Sequence, residues 1–185
     1  YRLEVGDIEE FGIHDESVHP AMSESADVER NAEPGLRFAA AVNEQLARGP
    51  VKDVYIYVHG YNNNFNESVA IIGQMWHFMG RQGIALAYSW PAGHGGLLHG
   101  YTYDRESSEF TIYHFKETLR TIAQVPEVNR VHIIAHSRGT DVAVSALREL
   151  RLEFGGAQPT RDKLKLGSLV LAAPDLGLEV IMQRN

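Results

Sequence analysis

The sequence predicts an α/β fold, a mostly parallel sheet with helices on both faces. Two observations predict it. Short continuous apolar runs alternate with amphipathic stretches from residue 51 onward, the signature of strand–helix units. The residues that carry chemistry also fall just after those runs, at the carboxyl ends of strands, where such sheets bind ligands.

Val54-Tyr55-Ile56-Tyr57-Val58 is β-branched and aromatic throughout, as a strand buried on both faces would be. Asn64 followed by Glu67 reads as a helix start, with Asn64 as cap. That helix carries Val69, Ile72, Met75, Trp76 and Met79 and ends in the glycines at 80–83. Ile84 to Trp90 is a second strand, stopped by Pro91. Residues 92–103, rich in glycine and aromatics, read as a loop, after which Asp104 caps a helix with Phe110, Tyr113, Leu119 and Ile122 inward. Val131 to Ala135 is a third strand. Val142, Ala146, Leu147 and Leu150 form the inner stripe of the next helix, and Leu169 to Ala173 is a fourth strand. The connections are expected to be right-handed.

The first fifty residues carry weaker signals. Tyr1 to Val5 alternates like a half-buried strand, and residues 14–34 are polar, acidic and without period, so they read as a surface excursion. Phe38, Ala41, Val42 and Leu46 recur at helical spacing up to Gly49-Pro50. The expectation is one domain over residues 1–185, with 1–50 as an N-terminal extension and 51–185 as the core.

Composition narrows the function classes. With 24 acidic against 17 basic residues the net charge is −7, which argues against a nucleic-acid surface. There is no cysteine, so disulfides, thiolate metal sites and a cysteine nucleophile are excluded. No apolar stretch reaches transmembrane length. A soluble protein is expected, cytoplasmic or periplasmic. The chain starts at Tyr1 rather than Met, so a targeting segment is left open.

Three strand ends carry candidate chemistry. The strongest is Ala135-His136-Ser137-Arg138-Gly139, a small-x-Ser-x-Gly turn between a strand and a helix. Such a turn pushes the serine hydroxyl clear of the backbone, and the helix beside it offers N–H groups to a developing oxyanion. Ser137 is therefore the candidate nucleophile, with His136 and Gly139 in support; the alternative is a serine that only caps a helix. The second is His59-Gly60-Tyr61-Asn62. Gly60 lets the backbone turn so that an N–H, that of Tyr61 or less favourably Asn62, faces the reacting carbonyl together with the N–H of Arg138. The His59 ring is expected to bond backbone and hold this loop rather than act as base. The third is Asp175, after Ala172-Ala173-Pro174, a candidate to orient a histidine or a cap for a short helix over 176–183. Asp141, inside a helix, is assigned to helix electrostatics. Trp90, Leu97, Leu98, Tyr101 and Tyr103 are candidates for the wall of an acyl pocket. His94 and His99 lack a third ligand, so no metal is expected, and the Asn66-Glu67-Ser68 sequon falls in a helix start and is read as accidental.

Five segments together, Val58 to Asn62, Tyr88-Ser89-Trp90-Pro91, Tyr103 to Ser107, Ala135 to Gly139 and Leu171 to Asp175, resemble an esterase/lipase-like branch of bacterial alpha/beta hydrolases catalogued as a domain of unknown function. The resemblance implies the alpha/beta-hydrolase fold, here lacking its C-terminal strands, and a Ser–Asp–His triad with Ser137 as nucleophile and Asp175 as acid. It implies no cofactor. The substrate expected is a small-molecule or lipid-like carboxylic ester.

The triad order is Ser, Asp, His, yet the last histidine is His136. The base is expected beyond residue 185, and the chain without it is expected to turn over weakly or not at all. Within the chain, His59, His94, His99 and His136 are alternatives, His59 first because its strand should neighbour that of Ser137. Leu169 to Ala173 would then form a sticky sheet edge, expected to pair with another copy, a further C-terminal fragment or the N-terminal segment. Two other functions stay open: acyl transfer at the same site, and a binding or scaffolding domain that keeps the fold without the chemistry.

Overall fold

A computed structural model describes residues 10–11, 25–92, 99–175 and 177; for 25–32 and 99–110 it describes the helical backbone alone. The element order is α1 (Ser25–Ala47), β1 (Asp53–Val58), α2 (Phe65–Phe78), β2 (Ile84–Tyr88), α3 (His99–Gln124), β3 (Arg130–His136), α4 (Gly139–Phe154), α5 (Ala157–Lys163) and β4 (Leu166–Ala172). The four strands form one parallel sheet in the order β2-β1-β3-β4. β1 and β3 are thus central and adjacent, with Val58 opposite Ala135 at their carboxyl ends.

Alternation along the central strands assigns the two faces. Val54, Ile56 and Val58 of β1 and Val131, Ile133 and Ala135 of β3 share one core cluster with Val42 and Leu46 of α1, Phe115, Leu119 and Ile122 of α3, and Val142, Ala146 and Leu150 of α4. α2 packs on β2 and β1, and its buried Ile72 lies outside that cluster, so it covers the opposite face. α3 and α4 are also tied at the surface: Lys116 Nζ reaches Glu149 and Glu153, each at 2.7 Å, and Arg120 adds a pair to Glu153.

α2 begins as its sequence predicts. Asn64 Oδ1 accepts from Glu67 N–H at 2.9 Å while the Asn64 N–H donates to Glu67 Oε2 at 3.0 Å, a reciprocal capping box.

Several expectations are corrected. α1 starts at Ser25 and runs through Pro34, so residues 25–34 are helix rather than surface excursion. Proline removes one helical hydrogen bond, and the alanines and charged residues around it keep the helix going. α3 starts at His99, so 99–103 are helical instead of loop; no proline follows Pro91 until α3 has ended. Tyr113 is 57% exposed, and the inward stripe of α3 runs Thr111, Phe115, Leu119, Ile122. Met79 caps the end of α2 and is exposed. The short helix α5 had no counterpart in the sequence reading. Strands β3 and β4 are each longer than read, and β2 ends at Tyr88. β4 is an edge of the sheet among the described residues, with Leu169 42% and Val170 49% exposed. The expected strand at 1–5 and, apart from residue 177, the expected helix at 176–183 lie outside the described residues.

Candidate active site

Ser137 follows β3 directly and precedes α4, with φ of +50°. A left-handed backbone is uncommon for a residue with a side chain and costs about 1–2 kcal/mol. The surroundings fix it there. Ser137 N–H donates to the Ala172 carbonyl at 3.0 Å, and the Ser137 carbonyl accepts from Thr140 N–H at 3.0 Å and Thr140 Oγ1 at 2.6 Å. The bend is therefore stitched to β4 on one side and to the first turn of α4 on the other. Ser137 is partly exposed.

Two glycines explain how closely the bend fits the end of β1. A Cβ at Gly60 would lie 2.8 Å from Ser137 Cβ and 3.1 Å from the His136 carbonyl oxygen. A Cβ at Gly139 would run into the carbonyl oxygens of Val58 and His59. Any side chain at either position would force the 59–62 turn away from the serine. Asn62 in that turn is also left-handed, φ +55°, a conformation asparagine tolerates better than most residues.

His59 is fully buried. Its Nε2 accepts from Trp90 N–H at 3.1 Å, so its proton sits on Nδ1, which faces the Gly60 carbonyl at 2.8 Å. Burial lowers its pKa below the usual histidine value, partly offset by these backbone bonds. Both ring nitrogens are committed to backbone, leaving neither to take a proton from Ser137. The consequence for the loop is geometric: in a trans peptide the C=O and the following N–H point oppositely. With the Gly60 carbonyl turned inward to His59, the Tyr61 N–H is directed away from the ring.

Trp90 stacks on His59, centroids 5.5 Å apart, and its indole N–H donates to the His59 carbonyl at 2.8 Å. Trp90 is thus a buried brace beneath the turn. The side chains of Leu97, Leu98, Tyr101 and Tyr103 lie outside the described residues, as do those of His94 and His99. Tyr61 is on the surface, 43% exposed.

Asp175 comes to the same rim. Its N–H reaches the Ser137 carbonyl at 3.4 Å, and its carboxylate lies 3.7 Å from Arg138 Nη1. Arg138 therefore contributes a side chain that grips the loop after β4, which its reading as a backbone donor did not include. His136 Nδ1 is buried and makes no hydrogen bond among the described residues; it lies at the same junction, beside Gly60. Asp141 is in the first turn of α4. Among the described residues no three histidine or acidic side chains are grouped to hold a metal ion, and no helix is long and apolar enough to cross a membrane.

A parallel sheet with helices on both faces, bent sharply at a serine between the third strand and its helix, is an alpha/beta-hydrolase fold. The chain belongs to the family described as alpha/beta hydrolase of unknown function (DUF900), whose model covers residues 36–184. No curated protein and no solved structure matches it significantly.

Proposed function

We propose that the protein is a serine hydrolase acting on carboxylic esters of small or lipid-like acyl groups. The observation that carries this reading is the strained Ser137, seated where Gly60 and Gly139 allow the 59–62 turn to approach it. Strain of this kind persists only where the surroundings over-determine it.

In this reading Ser137 Oγ attacks the ester carbonyl carbon as its proton passes to a histidine base. The carbonyl oxygen becomes an oxyanion held by the N–H groups of Tyr61 and Arg138. Collapse breaks the bond to the alcohol, which leaves with the proton from the base, and an acyl-Ser137 ester remains. Water, deprotonated by the same histidine, releases the acid and restores Ser137. Asp175 orients the imidazole once it exchanges Arg138 for that ring. His59 is not that base in this reading, since both nitrogens of its ring are engaged; the base is assigned to another histidine, expected beyond residue 185.

Fluorophosphonate labelling of the intact natural protein tests this. Labelling that disappears in Ser137→Ala supports it. A folded protein that does not label, or that labels equally in Ser137→Ala, overturns it in favour of a binding domain that retains the fold.

A further inference from the structure

The rim opposite Ser137 holds a cleft. β3 and β4 start there, at Arg130 and Leu166, whereas Ser137 follows the far end of β3. A strand of that length separates the two rims by roughly 20 Å. The cleft has a volume of about 430 Å³ and lies between the start of these strands and the end of α5.

Its lining is opposite in charge to the chain as a whole. Three basic side chains, Arg130, Arg161 and Lys165, border it, in a protein with 24 acidic and 17 basic residues. Arg130 and Arg161 are exposed and make no hydrogen bond or ion pair among the described residues. Among the described residues the Lys165 ammonium bonds a neutral group, the Val125 carbonyl, at 3.0 Å. The one carboxylate in the lining, Asp162, accepts instead from Gln158 Nε2 at 2.8 Å. Asn129 and Ser168 add neutral hydrogen-bonding groups.

The floor is rigid. The His132 ring stacks on Tyr55 with centroids 5.0 Å apart and lies 3.4 Å from the Asp53 carboxylate through Nε2. Its other face lies against Gly167, where any Cβ would collide with it. Lys165 is held at φ +52°, and its carbonyl accepts from Val131 N–H at 2.8 Å. The backbone that presents Lys165 is thereby fixed to β3, the strand that carries Arg130.

We propose that this cleft binds the phosphate group of a small organic phosphate monoester. Three cations bordering one cleft, with no carboxylate partner among the described residues, match a group carrying about 1.5–2 negative charges. Guanidinium groups pair with phosphate oxygens through charge-assisted, often bidentate hydrogen bonds. The volume falls within the range of small-molecule sites, about 300–1,000 Å³, so there is room for an organic portion. This site is independent of the hydrolase reading.

Amide chemical-shift titrations of the purified protein with inorganic phosphate and with glycerol phosphate test it. Both should shift residues 129–132 and 161–168, the monoester saturating at the lower concentration. Arg130→Ser with Arg161→Ser should weaken binding about tenfold or more and leave the fold intact, because both side chains are exposed. Arg48→Ser with Arg148→Ser removes the same charge elsewhere and should change little, and Ser137→Ala should bind as the wild type does. Shifts scattered over the whole surface, or equal weakening by the two arginine pairs, would overturn the site. Equal saturation by the two ligands would overturn its preference for a monoester.

Discussion

Trp90 grips His59 twice, donating its amide N–H to the ring at Nε2 and its indole N–H to the carbonyl. The end of β1 and the chain just past β2 are thereby joined around one neutral imidazole. Gly60 and the turn beside Ser137 take their orientation from that ring.

This makes stability pH-dependent with a defined sign. Burial holds the His59 pKa below 6.5, so as pH falls through the ordinary histidine range the unfolded chain takes up a proton that the native state refuses. The His59 contribution is complete above about pH 6.5, shrinks as pH falls, and stops changing below the folded pKa. Urea denaturation between about pH 8 and pH 5 should show a larger loss in the wild type than in His59→Gln. Equal slopes would contradict the assignment.

Trp90→Phe retains a stacking ring and removes the indole donor. The buried His59 carbonyl loses its partner, at a cost of about 1–3 kcal/mol. The denaturation midpoint should fall by the corresponding amount, and fluorophosphonate labelling should slow because the turn is less well held.

Gly60→Ala tests the contact between the turn and the nucleophile. The added methyl meets Ser137 Cβ and the His136 carbonyl, and overpacking costs about 1–3 kcal/mol. Displacing an oxyanion donor should reduce labelling or turnover about 10²–10³-fold. Gly35→Ala, in an open helical position of α1, should instead stabilise by about 0.5–1 kcal/mol. Thermal melts alongside labelling rates separate the two effects.

Ser137→Gly and Ser137→Ala should both abolish labelling but differ in stability. Glycine relieves the left-handed backbone at φ +50°, so the glycine variant should be the more stable by about 1 kcal/mol. A more stable alanine variant would argue against strain at the bend.

In α3, Phe115→Ala should cost about 3–5 kcal/mol, because Phe115 is fully buried, while the exposed Tyr113→Ala should stay within about 0.5 kcal/mol. Chemical denaturation of both variants checks which stripe faces the core.

The bend at Ser137, the His59-Gly60 turn and the Asn64 cap were legible because each is a local pattern whose backbone requirement is written in adjacent residues. The stripe of α3 was legible only at Leu119 and Ile122: Ile112, Tyr113 and Phe115 offer apolar side chains on neighbouring faces, and only the position of the sheet selects Phe115 over Tyr113. α5 is too short and polar to show a period. The start of α1 was concealed by Pro34, a breaker by rule but tolerated here. The contact between Trp90 and His59 was not legible, because the two are remote in sequence and nothing local marks a braced indole. The cation cleft was equally hidden, since Arg130, Arg161 and Lys165 border one cleft only once β3, β4 and α5 are in place.

Gly139 presses the first turn of α4 against the last carbonyls of β1. The serine and the loop beside it thus share a joint with no slack, and neither strand can slip without carrying the other. A descendant of this protein can change its ligand preference only by altering residues away from that joint, because side chains have no room to enter it.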